Sequence, residues 1–301
     1  MSHRLLFVLG KGGVGRTSVA TALALRAGRA GKRALVVELN GIWDVGRRFG
    51  KQKSYEPLRI AEGVSWRSLT VGGCMEDFGR RKLKLGAMGA RLMSSRPLRT
   101  FVEAVPGLPD LLQLGKIENL LNEPDPGDPV DDLVVVDAPA TGHGLSLLAA
   151  PHSMSELTGS GPFHDLAANI AACLAHPDTG IVLATLAEEL PFTETSELLD
   201  TLERSPMRVA SVVVNRVVTA PLPDRSMWPA VRDAQPETPD HARLVALVES
   251  VDAVAREQEA VLQRIYARTE AGAVRVHTAP LVAHQGGRIA AASLADHLEL
   301  P

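Results

Sequence analysis

Apolar residues fall along the chain in short unbroken runs. Longer stretches separate them, in which apolar positions recur every three or four residues. The runs are RLLFVL (4–9), RALVVEL (33–39), VSWRSL (64–69), DLVVVDA (132–138), GIVLATL (180–186), RVASVVVN (208–215) and AVRVHTA (273–279). Most are continuous in Val, Leu and Ile, which suits strands covered by helices on both faces. The alternation predicts a doubly wound α/β fold with a mostly parallel sheet of about seven strands. A first helix is expected over RTSVATALALRAGRAG (16–31). Residues 72–123 read as helical throughout and hold no strand pattern. They are expected to form a helical insertion into a body made of 1–71 and 124–301, joined by the helix near 163–176. Two proline-rich stretches, NEPDPGDPVDD (122–132) and TAPLPDRSMWPAVRDAQPETPD (219–240), read as an acidic solvated turn and an irregular excursion.

Composition narrows the class. In 301 residues, 45% of them apolar, no apolar run approaches the ~18 residues that span a bilayer. The first run leads straight into a glycine loop and not into a signal-peptide pattern. A net charge of −3 argues against a protein that coats nucleic acid. Cys74 and Cys173 are far apart in sequence and form no C-x-x-C, so neither a zinc site nor an iron–sulfur cluster is expected. A soluble, cytoplasmic protein without stable membrane insertion is the expectation.

The segment GKGGVGRTS (10–18) joins the first strand to the first helix. Gly10, Gly12, Gly13 and Gly15, with Val14 among them, let backbone N–H groups converge on phosphate, and the helix N-terminus adds partial positive charge. Thr17 offers a hydroxyl to Mg²⁺, and Ser18 follows it in the helix. The pattern G-x-x-x-x-G-K-[ST] has lysine where this chain has Arg16, and a second cation, Lys11, opens the loop. LVVVDAPATGHG (133–144) ends a buried strand in Asp137, placed to hold Mg²⁺ through water, and continues with Pro139, Thr141, Gly142 and His143.

These residues, together with LAEELPFTETSELLDTLE and SVVVNRV in the same order, resemble the arsenical pump-driving ATPases and the ATPases that target tail-anchored membrane proteins. The resemblance spans most of the chain and implies a P-loop NTPase that binds ATP or ADP with Mg²⁺ and forms a face-to-face dimer. In that family the position of Lys11 reaches the partner's phosphates. Asn215 stands where an asparagine reads adenine, and Pro280 where a proline packs on the base. TGH at 141–143 belongs to the second switch, with His143 anchoring it by hydrogen bonds. The helical segment is the moving, client-facing part.

The chain departs from the family in three places. Arg16 makes the loop a deviant form. ELNGIWDVGRRFG (38–50) aligns without a gap to a first-switch stretch like STDPAHNLSDAFG, which puts Asn40 in the place of the aspartate that orients the attacking water. The C-x-x-C zinc clasp is absent. Arginine's planar fork does not replace a point-like ammonium, and asparagine does not accept a proton. The resulting expectation is an ATP-binding dimeric switch, homodimeric or paired with a related subunit, acting on a protein partner with weak or partner-dependent hydrolysis. The alternative is a competent ATPase driving targeting or transport, with Glu38 or Asp44 acting for Asn40. RRKLKLGAMGARLMSSRPLR (80–99) carries seven basic and no acidic residues. It reads either as a basic amphipathic surface for a client or membrane, or as a helix packed on the subdomain core.

Overall fold

The structure, a computed structural model, describes every residue except 1–2, 124–129, 140, 223, 234–238, 271 and 283–286; the side chains of 141–143, 231 and 239 also lie outside the description. The described residues form one sheet of eight strands: β1 (Leu5–Leu9), β2 (Ala34–Glu38), β3 (Leu58–Ala61), β4 (Val64–Ser68), β5 (Leu133–Asp137), β6 (Thr179–Leu186), β7 (Val209–Val217) and β8 (Arg275–Pro280). Their order is β3-β4-β2-β5-β1-β6-β7-β8. All pairs are parallel except β3 with β4. The sheet expected at about seven strands has eight among the described residues, the additional one being β3. LRIA of β3 has four residues and is only partly buried, so it shows no apolar run. A turn through Gly63, at φ 65°, folds it back as an edge strand.

Period-2 alternation divides each continuous run between two helical layers. Leu6, Val8, Val36 and Val135 face α1 (Arg16–Arg29) and α12 (Gly287–His297), with the short α2 (Asp44–Arg48) beside them. Leu5, Phe7, Leu9, Val37, Val134 and Val136 face the larger opposite layer. That layer includes α3 (Val71–Arg81), α6 (Leu108–Asn122), α7 (Thr141–Thr158), α8 (Pro162–Ala175), α9 (Glu189–Glu203) and α11 (Pro239–Glu270). The 219–240 stretch is less irregular than its prolines suggest, because α10 (Trp228–Asp233) follows a 3-10 turn within it.

Between β4 and β5 the chain forms α3, α4 (Ala87–Met93), α5 (Arg96–Ala104) and α6. A buried polar cluster ties these helices to the loop before β3. Lys116 of α6 lies 2.6 Å from Asp77 of α3, with side chains 1% and 5% exposed. Tyr55 Oη donates to the same carboxylate at 2.8 Å. Phe78 of α3 stacks on Phe163 of α8 at 4.8 Å. Met93 packs against the core, while Met88, Leu92 and Phe101 are 89%, 71% and 62% exposed. The basic segment is thus packed on the core at Met93 and exposed at Met88 and Leu92.

Candidate functional site

The glycine loop leaves β1 and enters α1 at the C-terminal edge of the sheet. Gly10 is at φ 154°, and a side chain there would run into the Ala184 carbonyl of β6. Gly15, at φ 97°, lies against the Asn215 amide. Around Gly12 and Gly13 a Cβ would meet nothing within 4 Å. The loop is thus pinned at its ends and open at its middle. Helix α1 begins with no side-chain cap and no acidic residue in its first turn. Its first N–H groups therefore lack a capping side chain, the arrangement an anion completes.

Thr17 Oγ1 donates to Asp137 Oδ2 at 2.6 Å across β1 and β5. Burial pushes the Asp137 carboxyl up, while the Thr17 hydroxyl and the guanidinium groups of Arg16 and Arg48 pull it down. A hydroxyl paired with a carboxylate beside an open anion cradle is a donor set that fits Mg²⁺ and a nucleotide's phosphates. Arg16 donates to the Ala138 carbonyl just after β5. Burial lowers its pKa and Asp137 raises it. Lys11 is half-exposed and forms an ion pair with Glu194 of α9.

Asn40 follows β2 in the left-handed region at φ 55°, a conformation that asparagine tolerates better than most residues. It is held by Gln113, which comes from α6. Gln113 Oε1 accepts from the Asn40 backbone N–H at 2.7 Å, and its Nε2 donates to Asn40 Oδ1 at 3.0 Å. Gln113 is fully buried, a polar residue in the apolar run LPDLLQLGKI. That mismatch is the one signal of it that the sequence carries.

Neither carboxylate offered in place of Asn40 is free in this arrangement. Glu38, 0% exposed, accepts from Trp66 Nε1 at 2.6 Å and from the Val45 N–H at 3.1 Å. Burial raises its pKa to about 7, against the hydrogen bonds from Val45 and Trp66. Asp44 opens α2 and forms an ion pair with Arg47. Asn215 donates its amide to the Val14 carbonyl at 2.9 Å and accepts from the Arg216 N–H at 3.0 Å. It therefore buttresses the loop directly. Asn215, Ser18, Pro280 and Leu294 line a small cavity of about 90 Å³. Pro139 is half-buried after β5, and the side chains of Thr141 and His143, with Gly142, lie outside the described residues.

The motifs gave no sign of Glu194, Gln113 or Arg48, whose Nη1 donates to Ser18 Oγ at 3.0 Å. Among the described residues no group of three or more His, Cys, Asp or Glu is placed to hold a metal ion. Nor is any described helix long and apolar enough to cross a membrane.

A parallel sheet with a glycine loop running into an uncapped helix, and a Thr–Asp pair beside it, defines a P-loop NTPase. A sequence model of the anion-transporting ATPases matches residues 3–160. The chain belongs to this family. It is 32% identical over 226 residues to ATPase BagA of Mycobacterium tuberculosis, covering 73% of this chain and 66% of that protein. It is 21% identical over 241 residues to a putative arsenical pump-driving ATPase 2 of Aquifex aeolicus, covering 71% and 80%. With ATPase GET3 of Candida glabrata it shares 23% over 257 residues, 73% of each. The match spans just under two thirds of the mycobacterial relative's length.

Proposed function

We propose that this chain is a nucleotide-held switch: it binds ATP or ADP with Mg²⁺, pairs with a second copy or a related subunit, and turns ATP over slowly without a partner. The observation that carries this reading is the link between Asn40 and Gln113, because it joins the site of the attacking water to α6. The loop amides and the α1 N-terminus bind phosphate oxygens, and Thr17 and Asp137 hold the metal. Mg²⁺, when bound, would neutralise charge between the phosphates and fix their orientation. Asn40 holds a water by hydrogen bonds but does not take its proton. Arg16, which bonds the Ala138 carbonyl, stands in place of the usual lysine, and its planar fork does not reproduce a point-like ammonium contact. Transition-state contacts of this kind are worth roughly 2–4 kcal/mol each, so losing two slows turnover by orders of magnitude and leaves binding intact.

The surface around α4 and α5 supports a protein client. Met88, Leu92 and Phe101 stand exposed among Lys84, Arg91 and Arg99, an amphipathic cationic face suited to an apolar helix with acidic flanks. Lys11, on the surface beside the loop, is the group that would reach a partner's phosphates.

The test is equilibrium binding of ATP with and without Mg²⁺, followed by light scattering. Wild type is expected to bind Mg-ATP and to double in mass. Thr17→Val and Asp137→Asn should lose the Mg²⁺ dependence, and Lys11→Ala should lose the mass change while still binding. A wild-type chain that binds no nucleotide, or a Lys11→Ala chain that dimerises normally, would contradict this reading.

A further inference from the structure

We propose that Arg48 is a second phosphate-binding cation of this site, contacting the phosphate chain of a bound nucleotide beside Ser18. The inference rests on the nucleotide reading above and assigns a residue outside the loop motif. Arg48 is the last residue of α2, and its guanidinium crosses from the segment after β2 to the first turn of α1, where Nη1 reaches Ser18 Oγ at 3.0 Å. A built recess holds it there. The side chain lies over Gly287 at the start of α12, where a Cβ would come within 2.9 Å of Arg48 Cδ and 3.0 Å of Nε. A side chain at 287 would require the arginine to shift. Arg288 lies over the ring of Phe49, the residue after Arg48, at 5.6 Å.

Charge then argues for an anionic ligand. Among the described residues Arg48 makes no ion pair; its hydrogen-bond partner is a neutral hydroxyl. Lys11, the loop's own lysine, is by contrast paired with Glu194. Arg48 lies near enough to Asp137 for its charge to favour the ionised carboxylate there. A guanidinium presents two parallel N–H groups to phosphate oxygens, a contact that lysine does not reproduce. The ligand chemistry it selects is the phosphate chain and not the base. Recognition should therefore rise from nucleoside to diphosphate.

The experiment measures affinity by calorimetry on the full chain for adenosine, ADP and Mg-ATP, at low and moderate salt. The proteins are wild type, Arg48→Met, Arg48→Lys and the neighbouring Arg47→Met. Arg48→Met keeps the apolar stem over Gly287, and thermal denaturation of each variant checks that it is folded. ADP and Mg-ATP affinities are expected to fall about tenfold or more in Arg48→Met and less in Arg48→Lys. Adenosine affinity and Arg47→Met should match wild type, and the deficit should narrow as salt rises. ADP bound equally by wild type and Arg48→Met would overturn the assignment alone. Equal losses for adenosine and ADP would also overturn it, showing a role in shape instead. A wild-type chain that binds no ADP would overturn the nucleotide reading and the assignment together.

Discussion

Replacing Gln113 by methionine separates nucleotide binding from its transmission to the helical segment. The substitution removes the 2.7 Å and 3.0 Å hydrogen bonds to Asn40 and a 3.3 Å bond to the Pro109 carbonyl. Three such bonds are ordinarily worth about 0.5–1.5 kcal/mol each. Two offsets apply. Asn40 is exposed, so water takes over the orphaned N–H and Oδ1, and a methionine in the fully buried site gains apolar burial. The net cost is expected to be about 1 kcal/mol, which leaves the protein folded. The consequence for function should be larger if Asn40 holds the attacking water as proposed, because α6 loses its grip on that residue. Hydrogen exchange over residues 108–122, with and without saturating Mg-ATP, reads this out. Wild type should show a nucleotide-dependent change in protection there. In Gln113→Met that change should fall by more than half while ATP affinity stays within about threefold. An undiminished change in the variant would refute the idea that Gln113 carries the signal.

Other expectations follow from the same geometry. Arg16→Lys combined with Asn40→Asp should raise single-turnover hydrolysis at least about 100-fold; the Gln113 amide donates equally well to an aspartate, so the pair survives the change. Lys116→Met should cost about 3 kcal/mol in urea unfolding, the low end for breaking a buried pair, because Tyr55 and Arg80 still bond Asp77. Asn in place of Asp77 should recover part of that loss. Burial works to raise the Asp77 carboxyl, but Lys116, Tyr55 and Arg80 hold it below its ordinary 3.8. Its stabilisation is therefore complete above that value and is lost as pH falls through the lower folded one. The difference in stability between wild type and the Asp77→Asn, Lys116→Met double variant should shrink below about pH 4. Burial pushes the Cys74 thiol up to about 12 and the Cys173 thiol up to about 11. A thiol reagent at pH 8 should label the native protein slowly and the urea-unfolded protein at once.

The parts of this molecule that were legible in the sequence are those written by neighbours in the chain. Strand runs, the glycine spacing of 10–15 and the Asp137 strand end are local patterns, and the fold places Thr17 and Asp137 within hydrogen-bonding distance as those patterns imply. What stayed hidden depends on residues far apart. Lys11 meets Glu194 across 183 positions and Asn40 meets Gln113 across 73. Arg48 reaches Ser18 across 30. No periodicity announces such contacts. Glu38 shows the complementary case: its carboxylate, two residues before Asn40, reads as a substitute for Asn40, and the strand that carries it buries it against Trp66. The edge strand β3 escaped notice because four half-buried residues carry too little pattern.

Single-turnover conversion of labelled Mg-ATP, with protein in excess and binding confirmed in the same tube, tests the central claim most directly. The account predicts that ATP binds and stays intact for hours when the chain is alone. Cleavage within minutes would contradict it, and would mean that Arg16 and Asn40 form a working site.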